Sequence, residues 1–265
     1  MMKNYLIHKV NFAFLYFICL IPLVSNATKM PHYDIQVVTE LLEPYQMYNA
    51  EGKLDGFATE VVRALFKQAN ADADIKVMPW SRAYNTALNV KNTMIYSMTR
   101  TKEREDKFLW LGELFEEKIC YWSLKNSLKN KDELNQLNLK ERKFSAPRYS
   151  IIAEYLLENN YKNVYYTSNG LQSLEMLFSG RTDYILATEH SLKISVKKLN
   201  PDFSTLKRVF KQKIILSPLS IAFNINSDIA VVKHFRKAFL TIKQNGILDK
   251  LTKKWHIGKL DNICK

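Results

Sequence analysis

The chain has 265 residues, 47% hydrophobic and 25% charged, enough for a core in one large domain or two of ordinary size. Seven glycines and seven prolines argue against linker-rich and low-complexity classes. The formal charge of +13 comes from lysines spread along the whole chain; no basic block carries interleaved aromatics, so nucleic acid is not an expected partner.

Residues 1–27 have the order of a secretory signal. A short basic start, "MMKNYLIHK", precedes the apolar run "VNFAFLYFICLIPLV", and "SNA" offers small residues before Thr28. An uncleaved anchor needs about 20 apolar residues, and this run is shorter. Cys19 lies inside it without the small neighbours of a lipoprotein site. Cleavage after Ala27 removes Lys3 and Lys9 and no acid, which leaves a formal charge of +11. No later segment is long and apolar enough for a membrane span, so the expected product is an exported, periplasmic, soluble monomer. Two cysteines remain in it, Cys120 and Cys264. An oxidising compartment favours a disulfide between them, worth about 4–5 kcal/mol on the loop-entropy model. The other reading is two reduced, buried thiols.

From Asp34 the pattern alternates between strands and helices. "DIQVVT" (34–39) is β-branched and predicts a strand, and "NAEGKLDG" (49–56) a turn cluster. From Phe57, apolar Val61, Val62, Leu65 and Phe66 form a helical stripe. "DIKVMPW" predicts a second strand, "SRAYNTALNV" a helix capped by Ser81, and "TMIYSM" a third strand. This order indicates an α/β lobe with a mainly parallel sheet. A second unit of the same style follows: strands at "KICYWSL", "KFSAPR", "NVYYTS" and "RTDYILAT", helices at "SIIAEYLLENNY", "LQSLEMLFSG" and "EHSLKISVKKL", and a polar helix or loop at "KNKDELNQLNLKER". "PLSIAFNI" is a strand, and "SDIAVVKHFRKAFLTIKQNG" a helix with Ser227 as N-cap and Gly246 as its stop. "ILDKLTKKW" is the last helix.

The stretch "SMTRTKERE" (97–105) places arginines around paired threonines where a strand hands over to a helix. One reading is a solvated helix start, with Thr101 as cap and Glu103 and Glu105 favourable to the dipole. The other is a carboxylate clamp, since a planar guanidinium holds a carboxylate through two parallel charge-assisted hydrogen bonds.

Six landmarks in order resemble the extracellular solute-binding proteins of the polar amino-acid type, the receptors of ABC importers. They are "EPYQMYNAEGKLDGF", "MPWSRAYNTAL", "SMTRTKERE", "LFSGRTDYIL", "LSIAF" and "IKQNGILDKLTKKW", and they cover essentially all of the mature chain. The resemblance implies a two-lobed periplasmic-binding-protein-like clamshell of type II, with lobe 1 at 28–117 and 217–265 and lobe 2 at 118–216. Two crossing strands, near 114–121 and 213–219, would form the hinge. It implies a small-molecule ligand, a carboxylate-bearing solute such as an amino acid or a relative, with an ABC permease as partner and no cofactor or metal. The family's T-x-E-R element falls on Thr101–Arg104, so Arg104 rather than Arg100 is the expected clamp. Thr99 is its expected hydroxyl partner, and Ser97 falls where a carbonyl faces the ligand's amino group. Trp80 and Tyr45 align with rings that sandwich the ligand; core packing is the other reading for each.

The second lobe departs from the pattern. Where relatives carry an aspartate for the α-ammonium, "GRTDYILATEH" has Thr188, with Glu189 next; either Glu189 turns in, or the ligand has no ammonium there. "SAPRYS" stands where relatives have glycine and threonine, and Arg148 is either a second cation or a solvated side chain. His8, His32, His190, His234 and His256 show no metal-ligand spacing, no serine sits in a nucleophile elbow, and no phosphate loop is present. A non-enzyme is expected. The alternatives are a sensory or orphan binding protein without a transporter, and a cyclohexadienyl-dehydratase-like enzyme using Glu189 and His190 as acid and base.

Overall fold

The computed structural model describes residues 34–116, 118–127, 139–209, 214–215 and 218–257. The proposed signal and Cys264 lie outside these residues, as does most of "KNKDELNQLNLKER".

The first half of the chain builds one sheet and most of its cover. Strand β1 (Gln36–Thr39) leads to a small hairpin of β2 (Met47–Tyr48) and β3 (Leu54–Asp55), closed by Asn49 Oδ1, which accepts the N–H groups of Glu51 and Lys53 at 3.0 Å. Helix α1 (Phe57–Gln68) follows, then β4 (Asp74–Val77), α2 (Trp80–Asn89), β5 (Thr93–Thr99) and β6 (Phe108–Phe115). The stripe read from the sequence of α1 is its buried face: Val61, Val62, Leu65 and Phe66 are all essentially inaccessible. Each such burial contributes about 1.5–3 kcal/mol. No side chain caps α1. Its first N–H groups donate instead to the carbonyls of Pro44 and Tyr45. Gly56 permits this approach: its φ is +115°, and a Cβ there would lie 2.5 Å from the Tyr45 carbonyl oxygen. The loop 40–46 is thereby fixed over the sheet.

The chain next enters a second sheet. Strand β7 (Lys118–Leu124) is followed by β8 (Lys143–Pro147), α3 (Ile151–Glu158), β9 (Asn163–Thr167), α4 (Gly170–Phe178), β10 (Tyr184–Ala187), α5 (Glu189–Leu199), β11 (Leu206–Arg208) and β12 (Ile214–Ile215). It returns to the first sheet as β13 (Leu219–Asn224) and ends in α6 (Ile229–Gln244) and α7 (Ile247–Lys254). The first sheet has the order β4-β1-β5-β13-β6, the second β11-β7-β10-β8-β9, with β12 on β7. In both, parallel pairs carry the βαβ part, while strands next to the crossings, β6, β7 and β13, pair antiparallel. This is the two-lobed clamshell, crossed once between β6 and β7 and again between β12 and β13.

Each sheet has a core on both faces. On the first, α1 and α6 enclose Phe57, Phe66, Phe223 and Phe235, and α2 covers Val38, Ile95 and Met98 on the other side. On the second, α3 packs over Phe144 and Tyr184, opposite α4 and α5 over Trp122 and Ile185.

Two caps differ from expectation. Helix α2 starts at Trp80, with Pro79 rather than Ser81 at the cap position; proline's fixed φ suits a helix start and it lacks the N–H that would need a partner. The cap of α6 is Asp228, whose Oδ1 accepts from Ala230 at 2.8 Å, while Ser227 Oγ accepts from Asn92 instead. Cys120 is disulfide-bonded, so the reduced-thiol reading is overturned for it; the expected partner Cys264 lies outside the described residues.

Candidate functional site

Between the two sheets lies a cavity of about 560 Å³, lined from the first lobe by Glu40, Glu43, Trp80, Ser97, Thr99 and Arg104, and from the second by Ser150, Asn169, Thr188 and Lys198. Most of the remaining wall is aliphatic, with Leu41, Met78, Ile119, Ile151, Leu174 and Leu219 among its residues. An apolar pocket with a few convergent polar groups is the usual form of a small-molecule site.

Arg104 stands at one wall and is 1% exposed. It sits in the 3-10 turn Lys102–Lys107, which begins at Thr101; the Thr101 hydroxyl makes no cap bond and is buried without a partner. The stretch is thus a helix start with Thr101 at the cap position and Glu103 and Glu105 in the first turn, but without the expected side-chain cap bond. The guanidinium is held on all sides. Its Nη1 donates to the Thr99 carbonyl at 3.1 Å and its Nη2 to the Tyr149 carbonyl at 2.8 Å. Nε donates at 3.1 Å to Oε1 of Glu154, which Nη2 also reaches. The rings of Tyr84 and Trp80 lie 5.2 and 5.7 Å from its central carbon, within cation–π range. Glu154 belongs to α3 of the second lobe, so this ion pair spans the cleft.

Trp80 adds a second crossing contact, its Nε1 donating to the Tyr149 carbonyl at 2.8 Å. A third is the ion pair of Glu43 and Lys198. Burial raises the Glu154 carboxyl above the ordinary carboxylate range, and Arg104 opposes this only in part. Burial likewise raises the Tyr84 hydroxyl, against the pull of Arg104.

Ser97 interrupts β5. Its φ is +58°, and the ladder from β13 steps from Met98 to Tyr96 without pairing it, so it is a bulge residue in the left-handed region. Its hydroxyl donates to Gln46 Oε1 at 3.0 Å, while Gln46 Nε2 is buried without a partner. Bulges re-aim backbone at the rim of functional clefts. Thr188 lines the cavity as the N-cap of α5, accepting from the Ser191 N–H at 3.1 Å.

Two expected site residues are placed elsewhere. Tyr45 lies in the core of the first lobe, stacked on Phe115 at 4.0 Å, and is not among the cavity's lining residues. Its ring is drawn inward because its carbonyl is held by the start of α1. Tyr48 lines the cavity in that region. Glu189 faces a separate recess beside Trp122 and Phe203, where Lys193 at 2.6 Å and Arg208 at 3.9 Å pair with it. With Thr188 at the cap, the next side chain turns along the helix and away from the cavity. Burial and nearby Lys193 lower the His190 pKa, and neither Glu189 nor His190 lines the cavity. Arg148 is exposed, 5.6 Å from the Tyr166 ring, in line with the solvated reading.

Glu154, Tyr149, Glu43 and Lys198 were not foreseen. An acid in the first turn of a helix is what the dipole alone selects, so nothing in the sequence distinguished Glu154 from a solvated one. Among the described residues no group of three His, Cys, Asp or Glu side chains is arranged to hold a metal ion, and no helix is long and apolar enough to cross a membrane.

The model of bacterial extracellular solute-binding proteins, family 3, matches residues 35–259. The chain belongs to that family. Solved structures agree on the fold of this family-3 solute-binding protein. A histidine kinase sensor domain with similarity to periplasmic binding proteins has a TM-score of 0.73 at 18% identity, covering 86% of this chain and 97% of that one. An ancestral arginine-binding protein bound to glutamine has a TM-score of 0.71 at 24% identity, over 83% and 96%. A periplasmic His/Glu/Gln/Arg/opine family-binding protein from Silicibacter pomeroyi, in complex with lysine, has a TM-score of 0.69 at 19% identity, over 83% and 96%. No curated protein sequence matches the chain. As a family-3 solute-binding protein it is a ligand-binding clamshell.

Proposed function

We propose that the protein captures a small carboxylate-bearing solute, an amino acid or a relative, in the interlobe cavity and presents the closed form to an ABC permease outside the cytoplasmic membrane. In this reading residues 1–27 are a cleaved signal, lobe 1 comprises 28–117 and 217–265, and lobe 2 comprises 118–216. The observation that carries it is the buried Arg104 guanidinium at the cavity wall, already holding a carboxylate, that of Glu154, between Thr99 and the Trp80 ring. A guanidinium that holds one carboxylate in that geometry has the donors to hold another in its place.

Thr99 and Ser97 are the polar partners on the first lobe and Thr188 that on the second. The solute's body packs on Trp80 and the aliphatic wall. Contacts made to both lobes exist only in the closed form, so the solute shifts the protein toward closure by its differential affinity.

The test is a thermal-shift screen of amino acids, dicarboxylates and amines on the wild type and on Arg104→Lys and Arg104→Ala. A solute with Kd near about 1 μM, present at about 1 mM, adds roughly 4 kcal/mol of stability. Arg104→Lys keeps the charge but loses the fork, and should weaken binding strongly. An equal response in wild type and both variants would remove Arg104 from the site.

A further inference from the structure

We propose that Glu154 is a built-in competitor for the Arg104 clamp, a specificity-determining residue that a solute carboxylate has to displace before it is held. The inference rests on the reading of Arg104 as the carboxylate anchor.

The first ground is occupancy. A guanidinium offers five N–H donors in a fixed fork, and four of them are engaged: two on Glu154 Oε1, one on the Thr99 carbonyl and one on the Tyr149 carbonyl. With Arg104 only 1% exposed, the single remaining N–H, on Nη1, cannot grip a second carboxylate through two parallel bonds. Entry of a solute acid is an exchange and not an addition.

The second ground is the origin of the occupant. Glu154 and Tyr149 flank the start of α3 in the second lobe, while Arg104, Thr99 and Trp80 belong to the first. The tethered carboxylate therefore joins the same surfaces that a bound solute would join. It can leave by the same motion that opens the cleft.

The third ground is that the tethered pair is imperfect. Only Oε1 meets the fork; Oε2 is buried with no hydrogen-bond partner. A free carboxylate can set both oxygens against the guanidinium, a geometry roughly twice as strong as a neutral hydrogen bond at each contact. Burial also disfavours the charged form of Glu154. The internal ligand fills the clamp and remains exchangeable.

Selectivity follows from the exchange. A head group alone trades one carboxylate for another and gains little. Net affinity then has to come from the rest of the solute against the aliphatic wall and the Trp80 ring. Small carboxylates without such a body are turned away.

Acetate, a carboxylate with no body, is the probe. Its binding to the full mature chain is measured by calorimetry and thermal shift for the wild type, Arg104→Ala, Glu154→Ala and the double variant. Glu154→Ala should bind acetate at least tenfold more tightly than the wild type, and adding Arg104→Ala should abolish that gain. Equal acetate affinity in wild type and Glu154→Ala, with loss in Arg104→Ala, overturns the competitor and leaves the clamp standing. Equal affinity in Glu154→Ala and the double variant overturns the clamp itself. Should Glu154→Ala not fold, Glu154→Gln replaces it: its amide no longer matches the guanidinium as an anion. Several-fold tighter acetate binding is expected there, and parity with the wild type overturns the proposal.

Discussion

Substitution of Arg104 by alanine in the solute-free protein tests whether the cross-cleft pair exists in solution. The change leaves Glu154 with a side chain 22% exposed and no cation beside it. It also leaves the Thr99 and Tyr149 carbonyls without their donor. Removing one partner of a buried ion pair costs about 3–5 kcal/mol. The partial exposure of Glu154 places this site at the lower end, near about 3 kcal/mol. For a domain of this size each kcal/mol moves Tm by about 2–4 °C, so a fall of about 6–12 °C is expected by calorimetry, with a matching shift in urea midpoint at unchanged m-value. Replacing both partners by apolar side chains, Arg104→Met with Glu154→Leu, should recover most of the loss, since two desolvated charges vanish together. A single variant within about 0.5 kcal/mol of wild type, the range of ordinary surface changes, would mean that the guanidinium stands in water in an open cleft. Strict additivity of the two substitutions would say the same.

Three further outcomes are expected. Glu154 is held above its ordinary pKa by burial, with Arg104 lowering it and Glu103 and Glu158 raising it further. A raised folded-state value contributes stability that is complete below the unfolded pKa and is lost as pH rises through the folded one. Urea titrations should therefore show wild type losing ground to Glu154→Gln as pH rises upward from about 4.3, and a pH-independent difference would refute this. In Gly112→Ala the new Cβ would lie 2.2 Å from Cε1 of Phe239, so overpacking of about 1–3 kcal/mol is expected from denaturant melts; a neutral effect would mean that α6 moves away freely. Peptide mapping under non-reducing conditions should recover Cys120 linked to Cys264, and recovery of Cys264 as a free thiol would dismiss that pairing.

The fold was legible because period and punctuation are local properties. The stripe Val61, Val62, Leu65, Phe66 and the β-branched run at 34–39 each state their own secondary structure, and both are found where the pattern placed them. The misses have a different cause. Strand β6 is apolar almost throughout, with no alternation to mark it, because both faces of the sheet are covered: Leu111, Leu114 and Phe115 join the core with α1 and α6, and Phe108 and Trp110 the core with α2. Ser81 and Ser227 have the right side chains for caps, yet neighbouring Pro79 and Asp228 hold those positions because the strand ends and tertiary partners set where each helix starts. At the site, the residue pattern alone left Arg104 and Trp80 open between two readings, and it was the resemblance to the family that singled them out; both line the cavity. Tyr45 and Glu189 lie outside the cavity lining, and what places them there is the direction of a side chain. Tyr45 turns on a carbonyl captured by α1, and Glu189 on a helix cap one residue earlier. Glu154 lies 50 residues from its partner, and no local pattern carries information across that separation.

The unpaired Oε2 of Glu154 bears on how a solute would shift the protein between forms. A clamshell whose empty form closes on an internal ion pair is shifted by a solute only where the solute-bound form has contacts the empty form lacks. A solute can shift the equilibrium only by the difference between its own contacts and those it displaces. Here that difference has two sources: the second oxygen of the incoming carboxylate, and the aliphatic wall along Met78, Ile151 and Leu219. Glu154 supplies neither. The tethered carboxylate would thus set a threshold: solutes that only match it leave the population of closed protein unchanged, and only those that exceed it raise that population.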